Sequence, residues 1–92
     1  MKSNSNLDKE IALAIIKDFA NGDKALYVED KGDNIYLRNK YNHKDLYFLW
    51  NEKYSIYDVR IMNKNEYNLF GYVITVQDLV TTLKTFRPTW EY

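Results

Sequence analysis

Aromatic side chains are concentrated in the middle of this chain, between two segments whose apolar residues recur at helical spacing. They are Tyr27, Tyr36, Tyr41, Tyr47, Phe48, Trp50, Tyr54, Tyr57, Tyr67, Phe70 and Tyr72. Aromatic rings favour the pleated, half-buried surface of a β-sheet, so this region is predicted to form an antiparallel sheet. Because tyrosine combines an apolar ring with a polar hydroxyl, such a sheet can also present an aromatic face to a partner.

The segment before the aromatic region is predicted to form a helix from about Leu7 to Ala20, after a disordered lead-in over residues 1–6. Asn6 suits the N-cap position, and Gly22 suits a left-handed residue at the helix end. Apolar residues recur there every three or four positions and define the stripe that we expect to be buried. The stripe comprises Leu7, Ile11, Ala14, Ile15 and Phe19.

The segment after the aromatic region is predicted to form a second helix, which begins after Thr75. Asp78 follows three residues later and completes a carboxylate variant of the capping box. The expected buried stripe comprises Val76, Leu79, Val80, Leu83 and Phe86. Pro88 is predicted to end the helix, which leaves residues 88–92 as a C-terminal tail. Because an exposed Trp lowers solubility, we expect Trp90 to pack against the domain or a partner.

Five strands are predicted between the two helices, over residues 24–29, 34–39, 45–51, 54–62 and 66–74. Turn-forming residues separate them, and Gly71 inside the fifth strand predicts a β-bulge or a close approach of another backbone. Short connections favour a meander, and each helix must bury its apolar stripe. The predicted fold class is therefore α+β in one domain over residues 1–92, with an N-terminal helix, an antiparallel meander of about five strands and a C-terminal helix, both helices lying on one sheet face.

Charge and composition restrict the classes of function. The chain has 13 basic and 13 acidic residues, so it lacks the basic excess with which most nucleic-acid binders displace counterions. It has no cysteine, which excludes disulfides and thiolate chemistry. No apolar run approaches the roughly 20 residues of a membrane span, and the polar N-terminus does not predict a signal peptide. These features predict a cytoplasmic protein without a membrane partner.

Catalytic and metal-binding patterns are weak in this sequence. His43, the one histidine, lies in a polar loop without further ligands at metal-site spacing. Ser55 is not part of a G-x-S-x-G motif. The carboxylates around the turn at Gly32 do not have the spacing of an EF-hand loop; they are Glu29, Asp30 and Asp33. The sequence therefore predicts no enzymatic activity, no cofactor and no metal site.

The outward face of the predicted sheet carries the residues of greatest functional interest. Strand alternation places five residues on this face: Tyr36, Arg38, Tyr47, Asp58 and Arg60. Tyrosine and arginine are enriched at protein–protein hot spots, and they also stack bases in single-strand binders. The structural alternative is that the cross-strand tyrosines only stabilise the sheet. The zero net charge favours a protein partner over nucleic acid.

The sequence thus predicts a small non-enzymatic protein-binding module. Its predicted partner-binding residues are Tyr36, Arg38, Tyr47, Arg60 and Trp90. In its general character this short, Asn-, Lys- and Tyr-rich chain resembles small accessory proteins of phages and mobile elements, which implies an inhibitor that occupies a surface on a host protein, such as a defence protein. A nucleic-acid binder that uses the same face is the alternative, and exposed sheet edges also permit a homodimer.

Overall fold

The structure is a computed structural model, and it describes residues 7–41, 44–63 and 66–90. A helix, five strands and a second helix follow one another along the chain. Their bounds are Lys9–Asn21 for α1, Leu26–Lys31 for β1, Asn34–Asn39 for β2, Asp45–Asn51 for β3, Ile56–Asn63 for β4, Glu66–Val73 for β5 and Val76–Trp90 for α2. Neither helix, over the part described, has the length and apolar character needed to cross a membrane.

The strands form one antiparallel sheet in the order β1-β2-β3-β4-β5. Helix α1 packs over β1 and β2, α2 packs over β5, and the two helices also contact each other. Their buried residues join the inward residues of the strands in a single core, which includes Ile16, Phe48, Tyr57, Leu79 and Phe86. The predicted fold class, with both helices on one face, is confirmed.

Alternation along the central strands determines which side chains enter this core. In β2, Ile35 and Leu37 are fully buried whereas Tyr36 is only partly buried. In β3, Leu46 and Phe48 are buried in the same way. Successive side chains of a strand point to opposite faces, so one set packs under the helices and the other lies on the face that the helices leave uncovered.

A β-bulge interrupts the pairing of β4 with β5. Val59 pairs with Gly71 and Arg60 pairs with Leu69, which leaves Phe70 as the extra residue of β5. The bulge predicted from Gly71 is therefore confirmed, one position away. The extra residue reverses the alternation beyond it, so Tyr72 lies on the same face as Leu69. The Phe70 ring packs edge-on against Phe86 of the core, with the centroids 6.2 Å apart.

Helix α1 ends at Gly22 as predicted, but its N-cap and the conformation of Gly22 differ from the prediction. Its N-cap is Asp8, whose Oδ1 accepts a hydrogen bond from the backbone N–H of Ile11 at 2.9 Å. Asn6, the predicted cap, lies outside the described residues, as does the whole of the lead-in over residues 1–6. Gly22 has a φ of −87°, so the predicted left-handed conformation at this position is wrong.

The buried stripe of α1 is rotated from the predicted one. Its centre is Ala12, Ile16 and Ala20, whereas Ile11 is 40% exposed and Ala14 is exposed as well. The remaining predicted stripe residues pack at its margin: Leu7, Ile15 and Phe19. Every residue from 11 to 16 is apolar, so helical spacing alone does not decide which of them faces the sheet.

Helix α2 confirms the predicted capping box. Asp78 Oδ2 accepts hydrogen bonds from the backbone N–H groups of Ile74 and Thr75, and Thr75 Oγ1 accepts one from Asp78 N. The prediction that Pro88 ends the helix is wrong, because α2 continues to Trp90. A proline in the last turn removes a single backbone donor, and the burial of the preceding turns holds the helix in place.

The first hairpin turn is shorter than the sequence indicated. Strand β1 runs from Leu26 to Lys31, and Lys31 pairs with Asn34, so only Gly32 and Asp33 connect the strands. Gly32 has a φ of 73°, and φ is negative at Asp33. A positive φ followed by a negative one is the combination of a type II′ turn. In the β3–β4 turn, Ser55 has a φ of 55°, and β4 begins only at the next residue.

Replacing Gly32 with alanine is expected to lower the free energy of unfolding by about 1 kcal/mol, because a Cβ strains the left-handed conformation. The matched control is Gly22→Ala, where φ is negative and a Cβ also meets open space. This variant should stay within about 0.5 kcal/mol of the parent. Urea unfolding of the three proteins measures the difference, and equal losses in both variants would contradict the assigned turn.

Replacing Asp78 with alanine is expected to lower the free energy of unfolding by about 1 kcal/mol at neutral pH, since two backbone donors lose their acceptor. The same hydrogen bonds hold the pKa of Asp78 below its ordinary value of 3.8. Folding therefore favours the charged carboxylate, and its contribution is lost as the pH falls from that value through the lower folded-state pKa.

The stabilities of the parent and the Asp78→Ala variant should therefore converge in acid, which urea unfolding at neutral pH and at about pH 3 tests. Asp18→Ala is the control, because this exposed carboxylate of α1 caps no helix. A difference between parent and Asp78→Ala that stays constant with pH would show that the capping hydrogen bonds do not depend on the carboxylate charge.

Candidate functional site

The open face is the side of the sheet that the helices do not cover. Its middle row, from β2 to β5, is Tyr36, Tyr47, Arg60 and Leu69, which pair in that order. A second row is Leu49, Asp58 and Tyr72. All the residues that the sequence predicted to point outward lie on this face: Tyr36, Arg38, Tyr47, Asp58 and Arg60.

Arg38 is held by two carboxylates from neighbouring strands. Its Nε donates to Glu29 Oε1 of β1 at 2.6 Å, and its Nη1 donates to Asp45 Oδ2 of β3 at 3.0 Å. The Asp45 side chain is only 9% exposed, and its Oδ1 accepts from the backbone N–H of Asn39. The hydrogen bond from Arg38 holds the pKa of Glu29 below its usual range. The positive charge of the Arg38 guanidinium is thus compensated by two carboxylates of the protein itself.

Two tyrosine rings flank the same guanidinium. Arg38 Cζ lies 5.3 Å from the Tyr36 ring centroid and 5.6 Å from that of Tyr47. The two rings meet edge-on with centroids 4.7 Å apart. Burial raises the pKa of the Tyr47 hydroxyl, so this ring stays neutral. We call Glu29, Tyr36, Arg38, Asp45 and Tyr47 the Arg38 cluster. Its cross-strand ring pair, Tyr36 and Tyr47, stabilises the sheet by about 0.2–1 kcal/mol.

Arg60 is in a different electrostatic state. In the chain as described it forms no ion pair, and its Cζ lies 5.9 Å from the centroid of the Tyr67 ring. Tyr67 in turn contacts Tyr47, with centroids 5.7 Å apart. An uncompensated guanidinium beside an exposed ring is available to a partner, whereas the guanidinium of Arg38 is not.

Large apolar side chains are exposed along β5 and the adjoining β3–β4 turn. We call these residues the β5 patch: Tyr54, Tyr67, Leu69, Tyr72 and Ile74, with exposures of 63%, 45%, 44%, 55% and 54%. None of these residues is among the partner-binding residues predicted from the sequence. A signal was present, because residues 67–77 carry no charged side chain although β5 is an edge strand, and natural sheet edges are usually protected by charges.

A cleft of about 390 Å³ opens beside the β5 patch at the end of the sheet nearest the β3–β4 turn. Its lining residues are Asn51, Tyr54, Ile56, Asp58, Tyr72 and Ile74. Asn51 Oδ1 accepts from the backbone N–H of Tyr54 at 3.3 Å, which holds the turn at the rim of the cleft. Asp58 Oδ1 is buried and has no hydrogen-bond partner in the described part of the chain.

Among the other residues considered for chemistry, those that the structure describes lie in ion pairs or in an exposed turn. Glu29 and Asp30 are engaged in ion pairs with Arg38 and Lys9. Ser55 lies in an exposed turn, and His43 lies outside the described residues. Within the ranges described, no three histidine or carboxylate side chains come together as a metal site.

Trp90, the last of the predicted partner-binding residues, is also the last residue of α2, and its side chain lies outside the described part. Because α2 packs on the covered side of the sheet, its backbone does not join the open face. The expectation that the Trp90 ring packs against the domain or a partner therefore stays a prediction.

Comparison with known proteins adds no functional assignment. No protein-family model, no curated protein and no solved structure matches this chain. Its function must therefore be inferred from the chemistry of the open face and the residues around it.

Replacing Arg38 with alanine is expected to lower the free energy of unfolding by about 2 kcal/mol, because the largely buried Asp45 carboxylate loses its counter-charge. Arg60→Ala is the matched variant on the same face, and it should change stability by no more than about 0.5 kcal/mol. Chemical unfolding of both variants measures these effects. Equal losses would mean that the two arginines do not differ in their internal contacts.

Proposed function

We propose that this protein is a small non-enzymatic binding module that acts by occupying a surface on another protein. The observation that carries the proposal is the β5 patch, whose large side chains are 44–63% exposed on one side of the molecule. Contiguous exposed apolar groups on a small protein are typical of interaction surfaces, because it is favourable to remove apolar surface from water when a partner covers it. Tyrosine suits this role since its hydroxyl keeps the uncovered surface wettable.

Electrostatics favour a protein partner over nucleic acid. Glu29 and Asp45 already compensate the charge of Arg38, and the chain as a whole has no net charge. Arg60 and Lys31, whose Nζ lies 5.9 Å from the Tyr36 ring centroid, then remain on the open face without an ion pair among the described residues, and two cations release few counterions from a phosphate backbone. Base stacking on the exposed tyrosines beside Arg60 is the basis of the alternative, a nucleic-acid-binding protein.

The edge of β5 offers a second mode of contact beside the open face. In the described sheet β5 pairs with β4 alone, so the backbone groups on its other side are available to a further strand. A partner strand can add to such an edge through main-chain hydrogen bonds, and a second copy of this chain can do so across a two-fold axis. The β5 patch lies directly beside this edge, so both contacts can be made together.

The site proposed here keeps Arg60 and adds the β5 patch to it. The Arg38 cluster lies beside this surface and contains the other predicted residues of the open face, Tyr36, Arg38 and Tyr47. Its Tyr47 ring contacts the Tyr67 ring of the β5 patch. The resemblance in general character to accessory proteins of phages and mobile elements supports a more specific form of the proposal. In that form the protein is a cytoplasmic inhibitor, and the surface it covers belongs to a host protein such as a defence protein.

Replacing both Leu69 and Tyr72 with alanine is expected to weaken the capture of a protein partner from host lysate by about tenfold or more, since exposed anchors of this kind carry most of the binding energy. The fold should remain, because both side chains are outside the core. Tyr41→Ala is the matched control: its ring is 75% exposed, at the β2–β3 connection and away from the β5 patch. Affinity capture and quantitative mass spectrometry compare the three proteins.

Capture that is equal for all three proteins would refute the β5 patch as the binding surface. Salt-sensitive binding of single- or double-stranded probes, in the absence of any captured protein, would instead support the nucleic-acid alternative. Light scattering at several concentrations separates self-association through the β5 edge from binding of a different protein.

A further inference from the structure

We propose that the cleft beside the β5 patch binds a guanidinium group, and that the protein partner inserts an arginine side chain there. That the arginine belongs to a protein partner rests on the proposed function, whereas the preference of the cleft for a guanidinium group does not. The cleft is formed by the end of the open face and the β3–β4 turn, and Asp58 is its one charged lining residue.

The carboxylate of Asp58, which lines the cleft, is the acceptor of this site. Asp58 lies on the open face between Leu49 and Tyr72, and no described donor reaches its buried Oδ1. Asp58 forms no hydrogen bond or ion pair with another described residue, so its negative charge is not compensated in the described part of the chain. A carboxylate is an acceptor with a negative charge, and the ligand that satisfies it best is a cationic donor.

The cations near the cleft do not fill this role. Lys53 Nζ lies 5.3 Å from the centroid of the Tyr54 ring, and it forms no ion pair with Asp58. Arg60 is two residues from Asp58 on the same strand, but it pairs across the sheet with Tyr47 and contacts the Tyr67 ring. The cleft extends from Asp58 in the opposite direction, toward the β3–β4 turn.

The walls of the cleft distinguish arginine from other cations. Tyr54 and Tyr72 are exposed rings that a planar guanidinium can stack on while its edge donates to a carboxylate. Ile56 and Ile74 offer apolar contact to the methylene groups of the same side chain. An ammonium group has no planar face to stack, so lysine matches fewer of these features.

A metal ion fits the cleft less well than a side chain. Hard divalent cations take six or more oxygen ligands, and this cleft supplies a single carboxylate. The chemistry of the cleft therefore points to an organic cation with an apolar stem.

The test uses the full chain, isotope-labelled, with a blocked arginine as the probe (N-acetyl-L-arginine methylamide). Backbone amide shifts are followed during the titration. We expect saturable binding, with a Kd on the order of millimolar, and shifts centred on Asn51, Tyr54, Asp58 and Tyr72. Blocked citrulline has the same shape without the charge, and it should bind about tenfold more weakly or not at all.

The variant Asp58→Asn removes the charge and preserves the shape of the side chain. It should reduce the affinity for blocked arginine by about tenfold. Because Asp58 forms no hydrogen bond or ion pair with another described residue, the variant should keep its fold, which the dispersion of its spectrum and its urea midpoint report. Asp18→Asn makes the same change of net charge on α1 and should leave arginine binding unaltered.

Equal binding of arginine and citrulline, or full arginine binding by Asp58→Asn, would overturn the proposed site. If a captured partner binds Asp58→Asn as tightly as the parent, the partner does not use the cleft, and this inference fails while the proposed function stands. If the arginine probe binds as expected but no partner depends on Leu69 and Tyr72, the proposed function fails and the cation site remains.

Discussion

Burial of two helices against the same face of a five-stranded sheet is the constraint on which the rest of the structure depends. The inward side chains of β2, β3 and β4 are almost completely buried beneath the helices, and they form one core with them; Leu37, Phe48 and Val59 are examples. The described residues form two helices, and both pack on the same face, so the other face must be compatible with water through its own side chains. Tyrosine and arginine meet that requirement because each joins apolar surface to a polar group.

The two ends of the open face are made compatible with water in different ways. Around β1 to β3, the Arg38 cluster compensates its charges and binds the Tyr47 hydroxyl internally, so this end does not need a partner for these groups. Along β4 and β5, by contrast, Arg60 has no carboxylate within the described residues, Asp58 has an unpaired oxygen, and the β5 patch is exposed. Interaction sites often contain groups whose arrangement does not favour the stability of the free protein. The exposed apolar side chains and unpaired charges along β4 and β5 are groups of this kind.

Local signals predicted much of this architecture. The bounds of β2 and β3 agree with the alternation of apolar residues, and the capping box of α2 follows from a hydroxyl and a carboxylate three residues apart. Prediction failed where several arrangements are locally equivalent. The orientation of α1 depends on packing because residues 11–16 are all apolar, and α2 passes Pro88 because its buried turns outweigh one missing donor.

The sequence by itself determined the type and order of the elements, and a bulge near Gly71, because these follow from spacing and from the conformational preferences of single residues. Only the tertiary structure decided which arginine is compensated. Arg38 and Arg60 both lie near carboxylates in the chain, yet the two acids that bind Arg38 are seven and nine residues away, on the strands at either side. Asp58 is only two residues from Arg60 and forms no ion pair with it. Cross-strand register, and not distance along the chain, brings opposite charges into contact, and it is set when the sheet assembles.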